Sequence, residues 1–164
     1  LTAFLRDTTD QINYDNATFT YGNIDRTRAK GVEATLALRP VDALNVTASY
    51  SYIDARDRSG RPAFDGKRLP RRASQAISLS ADYDWSFGLS TGATLTMVGD
   101  SFDDAANIVP LDGYALAGVR ASFPIGEHLE IYGRVDNLFD ADYATAAGYG
   151  VYGRAAYGGV RLNF

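Results

Sequence analysis

The strongest regularity along the chain is an alternation of apolar and polar residues with a period of two. That period places successive side chains on opposite faces of a strand. Eight segments carry it: Leu1–Thr8, Gly31–Arg39, Asn45–Ile53, Ser74–Tyr83, Leu89–Val98, Tyr114–Phe123, Leu129–Asp136 and Ala156–Phe164. Each approaches the roughly ten residues that a tilted strand needs to cross a bilayer. No stretch of helical length with a 3.6-residue repeat competes. In the second segment Val32, Ala34, Leu36 and Leu38 share one parity, and Glu33, Thr35 and Arg39 the other. The next six segments divide in the same way. Only the first, with Arg6 beside Asp7, has no assignable phase.

From the second segment on, the charged residues of the strand cores lie on the polar parity. An Arg at the lipid midplane would cost roughly 2–4 kcal/mol, so a lipid-facing wall must keep charge off that face. The pattern therefore predicts Glu33, Asp82, Arg120, Arg134 and Arg161 toward a lumen. It predicts Leu36, Leu79, Leu95, Val119, Ile131 and Leu162 toward lipid. A soluble β-sandwich also alternates, but the connections separate the two. Short links near Arg39–Leu44, Tyr83–Gly88 and Pro124–His128 alternate with long ones at Asp10–Asn23, Asp54–Arg72, Phe102–Asp112 and Leu138–Arg154. Short periplasmic turns and long outer loops alternate in this manner in outer-membrane barrels. The polar face is rich in Ser, Thr, Ala and Gly, too small to fill a closed eight-stranded interior. A wide barrel suits it better than a tight one.

Composition narrows the functions. A net charge of −4 gives no electrostatic footprint for nucleic acid. There are no cysteines, which removes disulfides and thiolate chemistry. The chain starts on Leu1 without a charged-then-apolar leader, and its one methionine is Met97, so it reads as the inside of a longer precursor. His128 is the sole histidine and falls in a turn beside Glu127, which leaves a barrel-borne hydrolase without its base; no catalytic residue is expected.

The motifs point to a family. Tyr157-x-Gly159-x-x-Leu162-x-Phe164 ends the chain on an aromatic and is similar to the signal that outer-membrane assembly machinery reads on a last strand. Val135-Asp136-Asn137-Leu138-Phe139-Asp140-Ala141-Asp142-Tyr143 precedes Gly148-Tyr149 and Gly153-Arg154. Upstream stand Asn23-Ile24-Asp25, Ala29-Lys30-Gly31-Val32-Glu33, Leu44 to Tyr52, and Leu69-Pro70-Arg71-Arg72. In this order they resemble the C-terminal barrel portion of TonB-dependent outer-membrane receptors. The likeness covers essentially the whole chain, 1–164. Its Gly-Tyr…Gly-Arg ending is most similar to the cobalamin-receptor branch. The resemblance implies an all-β, antiparallel 22-stranded barrel, of which this chain supplies about the last eight strands, with plug domain and signal peptide absent. It implies active import of a large scarce nutrient, cobalamin first and an iron–siderophore chelate close behind. The implied partners are outer-membrane lipid and lipopolysaccharide, the barrel assembly machinery, and the TonB complex through the missing plug. A free-standing small barrel with a structural or passive-pore role is the alternative.

Several further features bear on a site. Gly148-Tyr149-Gly150-Val151-Tyr152-Gly153 matches a phosphate-loop pattern, but no strand-to-helix context surrounds it. Asp54, Asp57, Asp103, Asp104, Asp140 and Asp142 fall in outer loops without a calcium-loop spacing, so no metal and no cofactor is expected. Arg56, Arg58, Arg61 and Arg68 share the longest loop with such acids and are candidates for lipopolysaccharide phosphates. Tyr83, Trp85 and Phe87 at one end, with Tyr50 and Tyr52 toward the other, fit interfacial aromatic girdles. A bulky nutrient needs flat apolar contact with a few polar clamps. The outer loops offer Phe102, Asn107, Tyr149 and Tyr152 for that purpose, with Arg154 in a structural role.

Overall fold

The computed structural model describes residues 1–15 and 19–162. Eight antiparallel strands form one sheet: β1 (Thr2–Asp15), β2 (Thr20–Val41), β3 (Leu44–Asp57), β4 (Gln75–Asp84), β5 (Ser90–Val98), β8 (Tyr114–Ile125), β9 (Leu129–Asp136) and β10 (Ala155–Leu162). Each pairs with the next in chain order. A separate two-stranded ribbon, β6 (Ser101–Phe102) with β7 (Pro110–Leu111), sits in the β5–β8 connection. Among the described residues β1 and β10 do not pair, so the sheet stays open at both edges.

The register joins the parities of the separate strands into two continuous faces. Leu36, Ala48, Leu79, Leu95 and Ala117 lie in one row across β2 to β8. Val119, Val135 and Ala156 continue that face in the next row. The opposite face carries the row Asp82, Gly92, Arg120, Arg134 and Tyr157. The predicted charges therefore share one side, and the predicted lipid set the other. β1 also gains a phase: Ala3 pairs with Val32 on the apolar side, while Phe4 lies opposite Gly31 on the polar side.

Among the described residues nothing covers the apolar face. The buried hydrophobic residues among those described are Ala55, Leu69 and Leu111, all at or above the outer end of the sheet. Leu36 is 54% exposed and Val160 60%. Burying a Leu or Val yields about 1.5–3 kcal/mol, and here only an apolar surrounding can supply it. A soluble sandwich would supply it with a second layer, which this chain does not fold. The sheet thus separates the two readings that alternation alone left together.

Two expectations about strand ends need correcting. The Asp10–Asn23 segment is not a long irregular loop. β1 runs to Asp15 and β2 starts at Thr20, with Tyr14 and Tyr21 in edge-to-face contact across the ladder, 5.1 Å apart. Polar cross-strand pairs sustain the ladder here: Arg28 to Asp7, and Thr27 Oγ1 to Gln11 Oε1. β3 likewise runs on to Asp57. At the other end the turns are as short as the sequence implied. Asp42-Ala43 joins β2 to β3, and Gly88 and Gly126 take positive φ in the next two turns. Tyr83 and Trp85 meet edge to face, ring centres 4.7 Å apart, beside the β4–β5 turn, with Phe87 next to them. Of the expected assembly signal, Tyr157, Gly159 and Leu162 lie on β10, and Phe164 lies outside the described residues.

Candidate functional site

The three remaining long connections, 58–74, 100–113 and 137–154, all leave the end opposite the short turns. They are held by side chains that bond to backbone. Asp57 begins the first. Its carboxylate accepts hydrogen bonds from the Ser59 amide at 2.8 Å, the Ser59 hydroxyl at 2.5 Å and the Arg61 guanidinium at 3.1 Å. Burial pushes this carboxyl up, but the Ser59 and Arg61 bonds outweigh it and hold it below the usual carboxylate range. The returning segment then pairs with the free upper edge of β3: Asp57 N–H donates to the Lys67 carbonyl and Leu69 N–H to the Ala55 carbonyl. Leu69 packs on Ala55, beside Ala29 and Ile53. Among the described residues this is the one apolar cluster of buried side chains, and it anchors the loop to the wall.

The β6–β7 ribbon is fastened to that loop. Asn107, at positive φ, accepts the Arg68 N–H on Oδ1 at 2.8 Å and donates Nδ2 to the Arg68 carbonyl at 2.9 Å. Both backbone groups of Arg68 are thereby satisfied by one side chain, as in a strand pair. The Arg68 guanidinium donates to the Asp100 carboxylate at 2.8 Å and lies 5.4 Å from the Phe102 ring centre. Arg71, also at positive φ, donates its N–H to the Phe102 carbonyl and its Nε to Asp103 at 2.6 Å. Asp104 caps the ribbon's own turn, accepting the amides of Ala106, Ile108 and Val109.

The last connection has its own lock. Asn137 is buried and bonds both the amide and the carbonyl of Ala141, each at 2.9 Å. Asp140 Oδ1 accepts the Arg154 amide at 2.7 Å. A Cβ on Gly153 would stand 2.9 Å from that oxygen, so glycine clears the approach. The Asn137-x-x-Asp140 and Gly153-Arg154 elements of the family likeness are therefore two halves of one loop clamp. The Ala147 amide donates to Asp103, which joins this loop to the ribbon. The bond from Arg71 holds the Asp103 carboxyl low, against the smaller upward push of burial, and the Ala147 bond adds to the lowering.

Phe102, Asn107 and Tyr149 are thus brought toward one rim. Tyr149 lies within electrostatic reach of Arg71. Tyr149 and Tyr152 project outward, 72% and 89% exposed. Asn107 is engaged in bracing through its whole amide, and Phe102 through its ring and its carbonyl. The sequence offered Arg68 as a phosphate contact and Arg71 only as part of a family motif, and neither as a brace between loops. Their signal was the matched stock of Arg in one loop and Asp in the next, which shows only once the loops are adjacent. The phosphate-loop pattern at 148–153 lies in a connection that enters β10, with no helix after it. Among the described residues no group of three or more His, Cys, Asp or Glu comes together.

The polar face below the rim is wired across strands. Arg120 on β8 reaches Asp82 on β4 past β5, and it can do so because Gly92 lies between them; a Cβ there would meet both side chains. Arg134 stacks over Tyr157 at 4.4 Å, and Arg161 bonds Glu130 at 2.5 Å. Arg120 and Arg134 are directly opposed, which would be unfavourable alone; each has its own partner on the other side. A hollow of about 740 Å³ lies elsewhere, on the apolar face where Ala81, Ala93, Ala121 and Ala156 are small.

A one-layer, two-faced antiparallel sheet with tight turns at one end and braced loops at the other is the wall of a transmembrane β-barrel. The chain belongs to the TonB dependent receptor-like, beta-barrel family, whose model matches residues 1–138. Among solved structures it is similar to the siderophore receptor PiuA of Acinetobacter baumannii, with TM-score 0.82 and 23% identity over 98% of this chain and 25% of that one. It is similar to the ferric-catecholate import receptor Fiu of E. coli K12, with TM-score 0.78 and 24% identity over 99% and 24%. It is also similar to the ferric yersiniabactin uptake receptor FyuA of Yersinia pestis, with TM-score 0.81 and 21% identity over 99% and 27%. The chain spans about a quarter of the length of these receptors. The family and its neighbours are transport receptors rather than enzymes.

Proposed function

We propose that this chain is the C-terminal part of an outer-membrane receptor that imports an iron–siderophore chelate under TonB control. The family match over residues 1–138 carries the reading. The three receptors named above are receptors for siderophores or ferric chelates, which favours that ligand class over cobalamin; the Gly-Tyr…Gly-Arg ending alone had favoured cobalamin. The open edges at β1 and β10 favour a share of a wide wall over a free-standing small barrel. In this reading the lumenal face meets a plug that this chain does not supply. The braced rim presents Tyr149 and Tyr152 to the ligand, while Phe102 and Asn107 hold the rim in shape. Tyr157, Gly159, Leu162 and Phe164 act as the signal to the assembly machinery.

The test is uptake by the parent receptor in an iron-starved strain lacking its own receptors. Energy-dependent entry of a labelled ferric chelate, lost without TonB, is expected, and entry of cobalamin alone would overturn the ligand class. The paired change Tyr149→Ala with Tyr152→Ala should weaken chelate binding by roughly 1–3 kcal/mol, the scale of lost aromatic contact. Normal affinity with normal surface display would remove this loop from the site. Deleting Phe164 should lower the inserted amount without changing affinity per inserted receptor.

A further inference from the structure

The apolar face does not end in water-facing neutral residues. Above the row of Ala3, Val32 and Tyr52, the same face of β1–β3 turns abruptly ionic, with Leu5 as the one apolar member of the first ionic row. Lys30 pairs with Asp54 across β2–β3, and the next row holds Asp7, Arg28 and Arg56. Arg26 follows on β2 at the same parity. Here the strands run past the apolar band, which is why these charges share the lipid parity without lying in the strand cores.

Their pairing is uneven. Asp7 takes Arg28 in a two-point contact at 2.8 and 3.0 Å, and stands 3.9 Å from Arg26. Asp54 takes Arg56 at 2.6 Å and stands 3.9 Å from Lys30. Each carboxylate therefore satisfies one near cation and only steadies a far one. The far cations are also the more open, with side chains 52% exposed at Arg26 and 62% at Lys30. They sit four residues apart on one strand, about 13 Å. Four cations against two carboxylates leave an excess of positive charge at this level of the wall. By contrast, Arg61 and Arg68, which the sequence offered as phosphate contacts, are turned to Asp57 and Asp100 within the rim.

We propose that the outer face of β1–β3, just above the apolar band, binds the phosphates of a membrane glycolipid of the lipopolysaccharide type, with Arg26 and Lys30 as the phosphate contacts. Asp7 and Asp54 position them, and Arg28 and Arg56 keep those carboxylates neutralised. The ligand class follows from what adjoins the cations. A soluble anion would gain nothing from Val32 and Tyr52 directly below or from Leu5 beside Lys30, whereas an amphiphile places its acyl chains there and its phosphates on the cations. A Lys or Arg near an anionic membrane surface is worth a severalfold gain in binding, and phosphate is well matched to both head groups. The inference rests on the reading that this face lies in lipid.

The experiment uses the purified parent receptor in phosphatidylcholine vesicles, titrated with diphosphorylated lipid A. Arg26→Gln with Lys30→Gln should weaken lipid A binding about thirty-fold. The exchange Arg26→Lys with Lys30→Arg, which keeps both charges, should restore most of it and shows that the site is folded. Binding unchanged in the Gln pair, or equal binding of dephosphorylated lipid A, overturns the proposal. Displacement of lipid A by millimolar inorganic phosphate assigns the cations to a soluble anion and overturns it as well. In the same vesicles, a fluorophore on Leu79→Cys reports the underlying reading: quenching by brominated acyl chains supports a lipid-facing wall whatever the phosphate result. Absence of that quenching would sink the reading itself.

Discussion

The wall and the rim of this molecule are held together by different physics. In the wall, backbone ladders do the joining, and side chains merely sort between two faces with a period of two. Ala, Ser, Thr and Leu recur there because only their polarity and size matter. In the rim the ladders are short, limited to the β6–β7 ribbon and the few bonds of the returning segment to β3. Asn107, Asn137, Asp57, Asp104 and Asp140 stand in for missing strands by bonding backbone amides and carbonyls directly. Apart from glycines such as Gly92, which clears the Arg120–Asp82 contact, a wall residue is therefore replaceable by any residue of its class, while a rim residue is bound to its own geometry. The wall spreads its stability over many equivalent contacts, and the rim concentrates it in a few bidentate ones.

The comparison breaks most visibly at adjacent wall positions. Leu95 and Thr94 are neighbours on β5 that face opposite ways. Leu95→Arg places a charge on the lipid side and should destabilise the parent receptor in vesicles by about 2–4 kcal/mol. Thr94→Arg points to the polar side, opposite Gly118, where a side chain has room; it should cost under about 1 kcal/mol. Guanidinium unfolding of both proteins in bilayers checks the pair. Equal costs would mean that the two faces are not in different solvents.

The rim should fail locally where the wall fails globally. Asn107→Ala removes both bonds to Arg68 and leaves two backbone groups without their partner. The expected loss is about 1–3 kcal/mol, confined to the 58–74 and 100–113 connections. Hydrogen exchange is the suitable measurement. The Arg68 and Leu69 amides should lose protection while those of β4 and β5 keep theirs. Loss of protection throughout the sheet would show that rim and wall are one cooperative unit.

This division also decides what the sequence made legible. The eight strands of the main sheet and the two faces of all but the first were written in the period-two pattern, and the end that carries the short turns in the rhythm of the connections; the first strand's phase and the β6–β7 ribbon were not. The family followed from short motifs such as Val135 to Tyr143. What escaped was where strands stop and what the loops do. β1 and β2 continue through Thr8 to Tyr14 and Tyr21 to Lys30, where both faces are polar and alternation gives no signal. The ion pairs Arg71–Asp103 and Arg68–Asp100 join residues 32 apart in sequence, and no local pattern announces them. Lys30 and Arg28 broke the parity rule for a related reason: the rule holds for the apolar band, and the strands outlast it. Asn107 was read as a ligand contact from its exposed loop position, and only its pairing with Arg68 shows its bracing task.

The smallest expected effect lies at the junction of the last two loops. Asp103 receives Arg71 from one side and the Ala147 amide from another. Its folded carboxyl is held below the usual value of 3.8, chiefly by the Arg71 bond. A depressed carboxylate contributes stability that is complete above the unfolded value and is lost as the pH falls through the folded one. The junction should therefore be intact at neutral pH and loosen only below about pH 4. Arg71 is 41% exposed in its side chain, so solvent screens the pair and the contribution is at most about 1 kcal/mol. Asp103→Asn keeps a hydrogen-bond acceptor for Ala147 but removes the charge. It should lower Ala147 amide protection severalfold at neutral pH and abolish its further fall in acid. Leu95 lies mid-ladder on β5, away from the acids of the rim, so protection of its amide serves as the internal reference and should stay flat across the same range. A parallel acid loss at Ala147 in Asp103→Asn would assign the titration to another group and remove Asp103 as the joint between the ribbon and the final loop.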